Sequence, residues 1–342
     1  MLHKMVSFLL SCAIFLMVGC ADLQPAPPSI DRLNLTNRYA PLHITVFPLD
    51  RIGDAVCARD DSVWFVERVW FGASDYLHKY SAGTGVRLSS VPLNDVETSS
   101  CAVTTNSVWV SSIGYLNQID IATNRIVKVV PLKLWGPLVP AATQNDILWI
   151  LGRPGLYRIK ENETEPVFLS KNREDYTNMV FAADSLWASA VDECRVDRID
   201  PHSGKVLAKI SRIPRSFRMP RHRLTYGEGS VWLPCEDFDH PYGAILRIDP
   251  NTNEVIAKIP VGGPPRSVAF AMGFAWVSTP GYRESHWLEK INVRTNKVVD
   301  RYRLGGIGNL PILVPVTDAL WAIGDRVAWH IKMKEGVPRL ED

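Results

Sequence analysis

The residues best suited to chemistry in this chain of 342 residues are arginines. One segment reads Ile210-Ser211-Arg212-Ile213-Pro214-Arg215-Ser216-Phe217-Arg218-Met219-Pro220-Arg221-His222-Arg223, with five arginines and no carboxylate. A guanidinium presents a planar fork of donors that holds a carboxylate or phosphate through two bonds, and Phe217 can stack on a ring. The segment therefore has the chemistry of an anion site. The alternative is a solvated loop whose charge is matched by Glu236, Asp237 and Asp239 a short way on. Local catalytic signatures are missing: there is no Gly-x-Ser-x-Gly, no phosphate-cradling glycine loop and no His-x-x-x-His pair. With 38 Lys+Arg against 36 Asp+Glu the net charge is +2, too small to draw the whole molecule to nucleic acid or an anionic bilayer. A charged ligand must be met by a local patch.

The elements that position these residues follow from tryptophan. An apolar residue followed by Trp recurs at Val63-Trp64, Val108-Trp109, Leu148-Trp149, Leu186-Trp187, Val231-Trp232, Ala275-Trp276 and Leu320-Trp321, at spacings of 45, 40, 38, 45, 44 and 45 residues. Each copy has a second half, clearest from Ile245 through Asp249-Pro250-Asn251-Thr252-Asn253 to Pro260, in which two alternating strands flank a polar turn. Adding an apolar strand before each Trp strand gives four short strands in about 43 residues, the blade of a β-propeller. No segment after residue 20 has an apolar period of helix length. The fold class is therefore all-β, a seven-bladed propeller over 42–342. The last unit is one strand short, and His43 to Leu49 can supply it and close the ring, hiding an edge that would invite aggregation.

In such a ring the polar turns lie on one face, and the longer loops after the Trp strands lie on the other with the connections between blades. The second face is the candidate site, because loops on a rigid scaffold carry binding residues. It would gather Arg212, Arg215, Arg218, Arg221, His222 and Arg223 with Arg51, Arg153, Arg266 and Arg283, so that convergence on the channel mouth implies an anionic ligand. Trp135, Tyr282, Trp70, Phe71, Tyr176, Phe238, Tyr242 and Trp287 fall in the same loops, either as a patch for a protein or glycan or as packing for their own loops. Cys57 and Cys101 occupy equivalent positions on the inner strands of blades one and two, and Cys194 and Cys235 follow the Trp strands of blades four and five, which permits two disulfides in an exported protein; free packing thiols are the alternative.

The Val-Trp-Val strand, the Arg-Ile-Asp-Pro-Asn-Thr-Asn turn and Ala257-Lys258-Ile259-Pro260-Val261-Gly262 resemble the YVTN and virginiamycin B lyase-like group of propellers over residues 43 to 332. The resemblance implies a fold more than an activity. Enzymes of the lyase-like type use His, Glu and a divalent metal such as Mg in these loops, for which His240, Glu284 and His286 are the nearest candidates. That group's repeated aromatic-Thr-Glu ending is absent, although Trp64-Phe65-Val66-Glu67 resembles it once. At the start of the chain His3 and Lys4 precede an apolar run from Met5 to Val18, and Leu16-Met17-Val18-Gly19-Cys20 resembles a bacterial lipobox, with Met17 where Leu is usual. This implies a signal peptide at 1–19, lipidation of Cys20, and a Pro-rich spacer at 20–41. Ala21 in place of Asp implies the outer membrane, with the protein facing the periplasm. The leading expectation is a lipid-anchored, monomeric, non-catalytic binding or scaffold protein of the cell envelope. It would hold an envelope protein or a small anionic ligand, without cofactor or nucleic acid. The alternative is a metal-dependent lyase or lactonase.

Overall fold

The computed structural model describes residues 42–48, 52–67, 75–93, 100–112, 114–132, 135–142, 146–153, 155–171, 176–190, 194–211, 223–236, 243–280, 285–305 and 311–334. All belong to one compact unit. They form seven four-stranded antiparallel sheets and no helix. Six blades are continuous in sequence, at 52–92, 100–131, 135–171, 176–211, 225–260 and 267–305. The seventh takes Ile312–Val316, Ala319–Ile323 and Val327–Met333 from one end of the fold and Leu42–Pro48 from the other. Leu42 pairs with Met333 and Pro48 with Val327, so the N-terminal strand closes the ring as its sequence requires. The innermost strands touch in order around the ring, including Ile312–Val316 against Ile52–Arg59.

Burial follows depth in the blade. The Trp strand Ser107–Ser112 is buried at every residue because other blades cover both its faces. The outermost strand Arg125–Pro131 alternates, with Ile126, Lys128 and Val130 less exposed than their neighbours. Among the described residues the apolar core is seven separate clusters, one at each junction between blades. The ring is thus held by its seams. Each repeat tryptophan fills the seam with the following blade, as Trp321 does against Val63 and Phe65 of blade one.

Two turns give the repeat its shape. In blades four, five and six the hairpin before the Trp strand places both central residues at positive φ, as in Glu228 with Gly229 and Met272 with Gly273, the arrangement whose twist matches paired strands. The polar turn is built on a side chain. Asp200 Oδ1 accepts from the backbone N–H of His202 and Ser203, each at 2.8 Å, and Asn292 Oδ1 accepts from Arg294 and Thr295 at 2.9 and 3.0 Å. These N–H donors hold the Asp200 carboxyl below its ordinary range.

A further repeat emerges from the register. Opposite Trp64, Trp149, Trp187, Trp232, Trp276 and Trp321, on the third strand, stand Lys79, Arg158, Arg198, Arg247, Lys290 and His330; opposite Trp109 stands Gln118. Arg198 and Arg247 lie over their tryptophans at 5.3 and 4.9 Å and then reach into the next blade. Arg247 Nη1 donates to the Val293 carbonyl at 2.7 Å and to Asn296 Oδ1 at 2.9 Å, while Nε donates to Ser230 Oγ at 2.9 Å. Each such guanidinium fastens two blades.

Candidate functional site

The channel mouth on the face of the long loops is built first by two backbone bonds. Arg223 N–H donates to the Arg266 carbonyl at 2.8 Å, and Arg266 N–H donates to the Ser278 carbonyl at 3.1 Å. Arg223 also bridges Ser267 in parallel, so the two arginines start the inner edges of blades five and six side by side. From there Arg223 Nη1 donates to the Val56 carbonyl at 3.3 Å. Val56 belongs to the innermost strand of blade one, three blades away round the ring, so this side chain crosses the channel. Its acceptor is held firmly, because the next residue, Cys57, is joined to Cys101 on the innermost strand of blade two, with their Cα atoms 5.9 Å apart. Chemically, the mouth brings the Arg223 guanidinium and the backbone of Arg266 together, and a guanidinium fork suits an anion with oxygen acceptors.

The second bridge joins Cys194 to Cys235, Cα atoms 5.5 Å apart, across the seam of blades four and five. Cys235 still lies inside its Trp strand, which runs to Glu236. Burial raises the Glu236 carboxyl above its ordinary value.

Three polar clusters at the same end of the blades have no counterpart in the sequence reading. In blade one His78 Nε2 lies 2.6 Å from Glu67 Oε2 and Nδ1 lies 2.8 Å from Ser90 Oγ. In blade four Asp197, fully buried, accepts from Tyr176 OH at 2.7 Å and Arg195 Nε at 3.0 Å. In blade six Glu289, also fully buried, accepts from Gly262 N–H at 2.9 Å and Thr279 Oγ1 at 2.8 Å, with Arg301 Nε 3.4 Å away. Burial raises the Glu289 carboxyl, and Arg301 opposes that rise. Asp197 is thereby spent on tying strands of blade four together, and Glu289 on tying the loop at Gly262 to a strand. The signal for all three was a register position: His78, Asp197 and Glu289 stand opposite Phe65, Ala188 and Val277, each the residue after a repeat tryptophan.

Of the expected site residues, Arg212, Arg215, Arg218, Arg221, His222, His240, Tyr282 and Glu284 lie outside the described residues, as does Cys20 with the leader and spacer. Arg51, Arg283, Trp70, Phe71, Phe238 and Tyr242 lie outside them too. Trp135 opens the innermost strand of blade three and pairs with Arg153. His286 is brought to the seam of blades six and seven, buried edge-on against Trp329 at 6.3 Å. Burial lowers its pKa; Asp325 pulls it up and Arg266 pushes it further down. Tyr176 is engaged with Asp197, and Trp287 carries the Arg301 guanidinium over its ring at 4.5 Å. Among the described residues no group of three or more His, Cys, Asp or Glu is placed to hold a metal ion. No described helix is long and apolar enough to cross a membrane.

Comparison with known proteins bears on the fold alone. No family model matches the chain, and no curated protein matches it. Among solved structures it is similar to the crystal structure of the computationally designed Ika8 protein, at 13% identity over 83% of each chain with a TM-score of 0.59.

Proposed function

We propose that this chain is an exported, lipid-anchored propeller that binds an anionic ligand at its channel mouth and performs no chemistry on it. The observation that carries the reading is the placement of Arg223 and Arg266 side by side, with the Arg223 guanidinium laid across the channel. The five-arginine segment ends at Arg223 and so delivers its chain to the same place. Two bridges between blades suit an oxidising compartment. The leader from Met5 to Val18 and the lipobox-like ending at Cys20 point to the envelope, where several acyl chains anchor a soluble domain at about 0.8 kcal/mol per buried CH₂. The YVTN and lyase-like resemblance is compatible with this reading and does not select a ligand.

The test is thermal stabilisation by phosphate, sulfate and dicarboxylates, compared between wild type, Arg223→Ala, Arg266→Ala and Arg215→Glu with Arg218→Glu. Stabilisation that disappears in the variants supports the mouth as an anion site, because a ligand stabilises only the state it binds. Equal responses in all proteins refute it. Metal analysis of protein prepared without chelator separates the enzyme reading, since a divalent ion lost on replacing His240, Glu284 or His286 would favour lyase or lactonase chemistry. Cys20→Ala should release the protein from membranes, and retention after a salt wash would refute the anchor.

A further inference from the structure

The seams carry a second kind of site, on the face of the polar turns. At the first position of five polar turns a backbone carbonyl receives a donor from the preceding blade. Ile121 O receives Lys79 Nζ at 3.3 Å, Pro250 O receives Arg198 Nη1 at 2.8 Å and Val293 O receives Arg247 Nη1 at 2.7 Å. Pro201 O and Ala82 O receive the indole N–H of Trp149 and Trp321 at 3.0 and 2.9 Å. The same position in blade three is Glu161, and its partner in blade two is Gln118, which stands where the sister blades have Lys79, Arg198 and Arg247.

Gln118 performs only half of the arginine's task. Its Nε2 donates to Ser107 Oγ at 2.9 Å, just as Arg198 and Arg247 Nε donate to Ser185 and Ser230 Oγ at 2.8 and 2.9 Å. There the side chain ends, and beyond it opens a cleft of roughly 540 Å³ lined by Gln118, Ser107, Asp146, Glu161 and Asn162. Asp120 and Lys160 complete its charged lining, leaving three carboxylates against one ammonium. The seam is closed from further out, by Lys128 Nζ donating to the Glu163 carbonyl, and from the side, by Thr104 Oγ1 and Asn106 Nδ2 donating to the Glu161 carboxylate at 3.1 and 3.4 Å. Those donors to Glu161 are neutral.

We propose that this cleft binds a guanidinium supplied from outside the chain, as carried by an arginine side chain of a partner polypeptide. The sister seams set the chemistry of the ligand, because at the same repeat position five of the six, Lys79, Arg158, Arg198, Arg247 and Lys290, hold a guanidinium or ammonium built into the chain, His330 being the sixth. The site lies on the opposite face from Arg223 and does not depend on the anion reading.

The experiment uses the full chain with Nα-acetyl-arginine methylamide as probe and its citrulline counterpart, equal in shape and uncharged, followed by NMR and calorimetric titration. The arginine probe should bind at least tenfold more tightly than the citrulline one. Gln118→Arg should abolish binding and raise Tm by filling the cleft from within. Glu161→Gln with Asp146→Asn should weaken binding at least tenfold with the fold retained. An arginine-containing peptide that binds no more tightly than the free probe would assign the site to a small guanidine and overturn the polypeptide partner. Equal affinity for citrulline, unchanged binding by Gln118→Arg, or no binding at tens of millimolar probe would overturn the site itself.

Discussion

Arg247→Gln would impose on blades five and six what the chain already has between blades two and three. The glutamine keeps a donor for Ser230 Oγ, as Gln118 does for Ser107 Oγ at 2.9 Å. It loses the Nη1 bonds to Val293 O at 2.7 Å and Asn296 Oδ1 at 2.9 Å, the Nη2 bond to Glu228 O at 3.2 Å, and the cation over Trp232 at 4.9 Å. The two Nη1 bonds are charge-assisted and partly buried, worth roughly 1.5 kcal/mol each. The ring contact adds about 0.5 kcal/mol. The exposed Glu228 bond contributes little, and the shorter side chain regains some rotamer freedom. The net cost is about 3 kcal/mol, and at roughly 2 °C per kcal/mol for a domain of this size Tm should fall by about 6 °C. Arg247→Lys should lose about half of that, since one ammonium serves one acceptor well. Arg294→Gln, exposed in the neighbouring turn, is the control and should not move Tm. Calorimetry at pH 7 reads all three. A fall of less than about 1 °C for Arg247→Gln would show that the guanidinium bridges do not hold the seams, and the interpretation of Gln118 would fail with it.

Three other outcomes follow from the same seams. Thiol titration of the folded protein should find Cys57, Cys101, Cys194 and Cys235 oxidised, and opening either bridge, with sequence separations of 44 and 41 residues, should cost about 4 kcal/mol in the chain-entropy account; reactive thiols in native protein would refute this. His330, buried beside Trp321 with Lys332 and His43 near it, has its pKa lowered from 6.5 to about 4, so the unfolded chain binds a proton that the fold excludes, and stability should fall as pH drops from about 6.5 to about 4. The slope is at most about 1.4 kcal/mol per pH unit, and an unchanged Tm–pH profile in His330→Gln would refute the assignment. Phe47→Ala removes the ring that stacks on Trp321 at 5.4 Å and over Gly85, and should cost about 2 kcal/mol and expose the Val327–Met333 edge to association; a monomer with unchanged Tm would show that closure does not rest on this contact.

How far the sequence could be read differs between fold and site. Seven tryptophans at near-constant spacing report the ring because each must fill the same seam, and a large apolar side chain cannot be replaced there without a cavity. The polar turns are legible for a similar reason, since Asp120, Asp200, Asp249 and Asn292 each cap their own turn through local bonds. The closing strand could be inferred by counting, because a unit one strand short leaves an edge.

The polar contacts between blades were not legible. Arg223 and Val56 are separated by 167 positions in sequence and meet only because the ring is closed, and nothing local in either residue names the other. Arg266 looked like any loop arginine until the parallel bridge between Arg223 and Ser267 set the two arginines side by side. His78, Asp197 and Glu289 look like ordinary polar residues in strands until register aligns them. Gln118 is the sharpest case: in sequence it is one polar residue in an alternating strand, and its meaning comes from six other blades superposed on it. By itself the sequence determined the repeat, its turns and its closure, because those depend on local backbone preference and apolar period. Only the tertiary structure decided which charges face one another, because side chains interact through distance, and distance across a ring is set by closure.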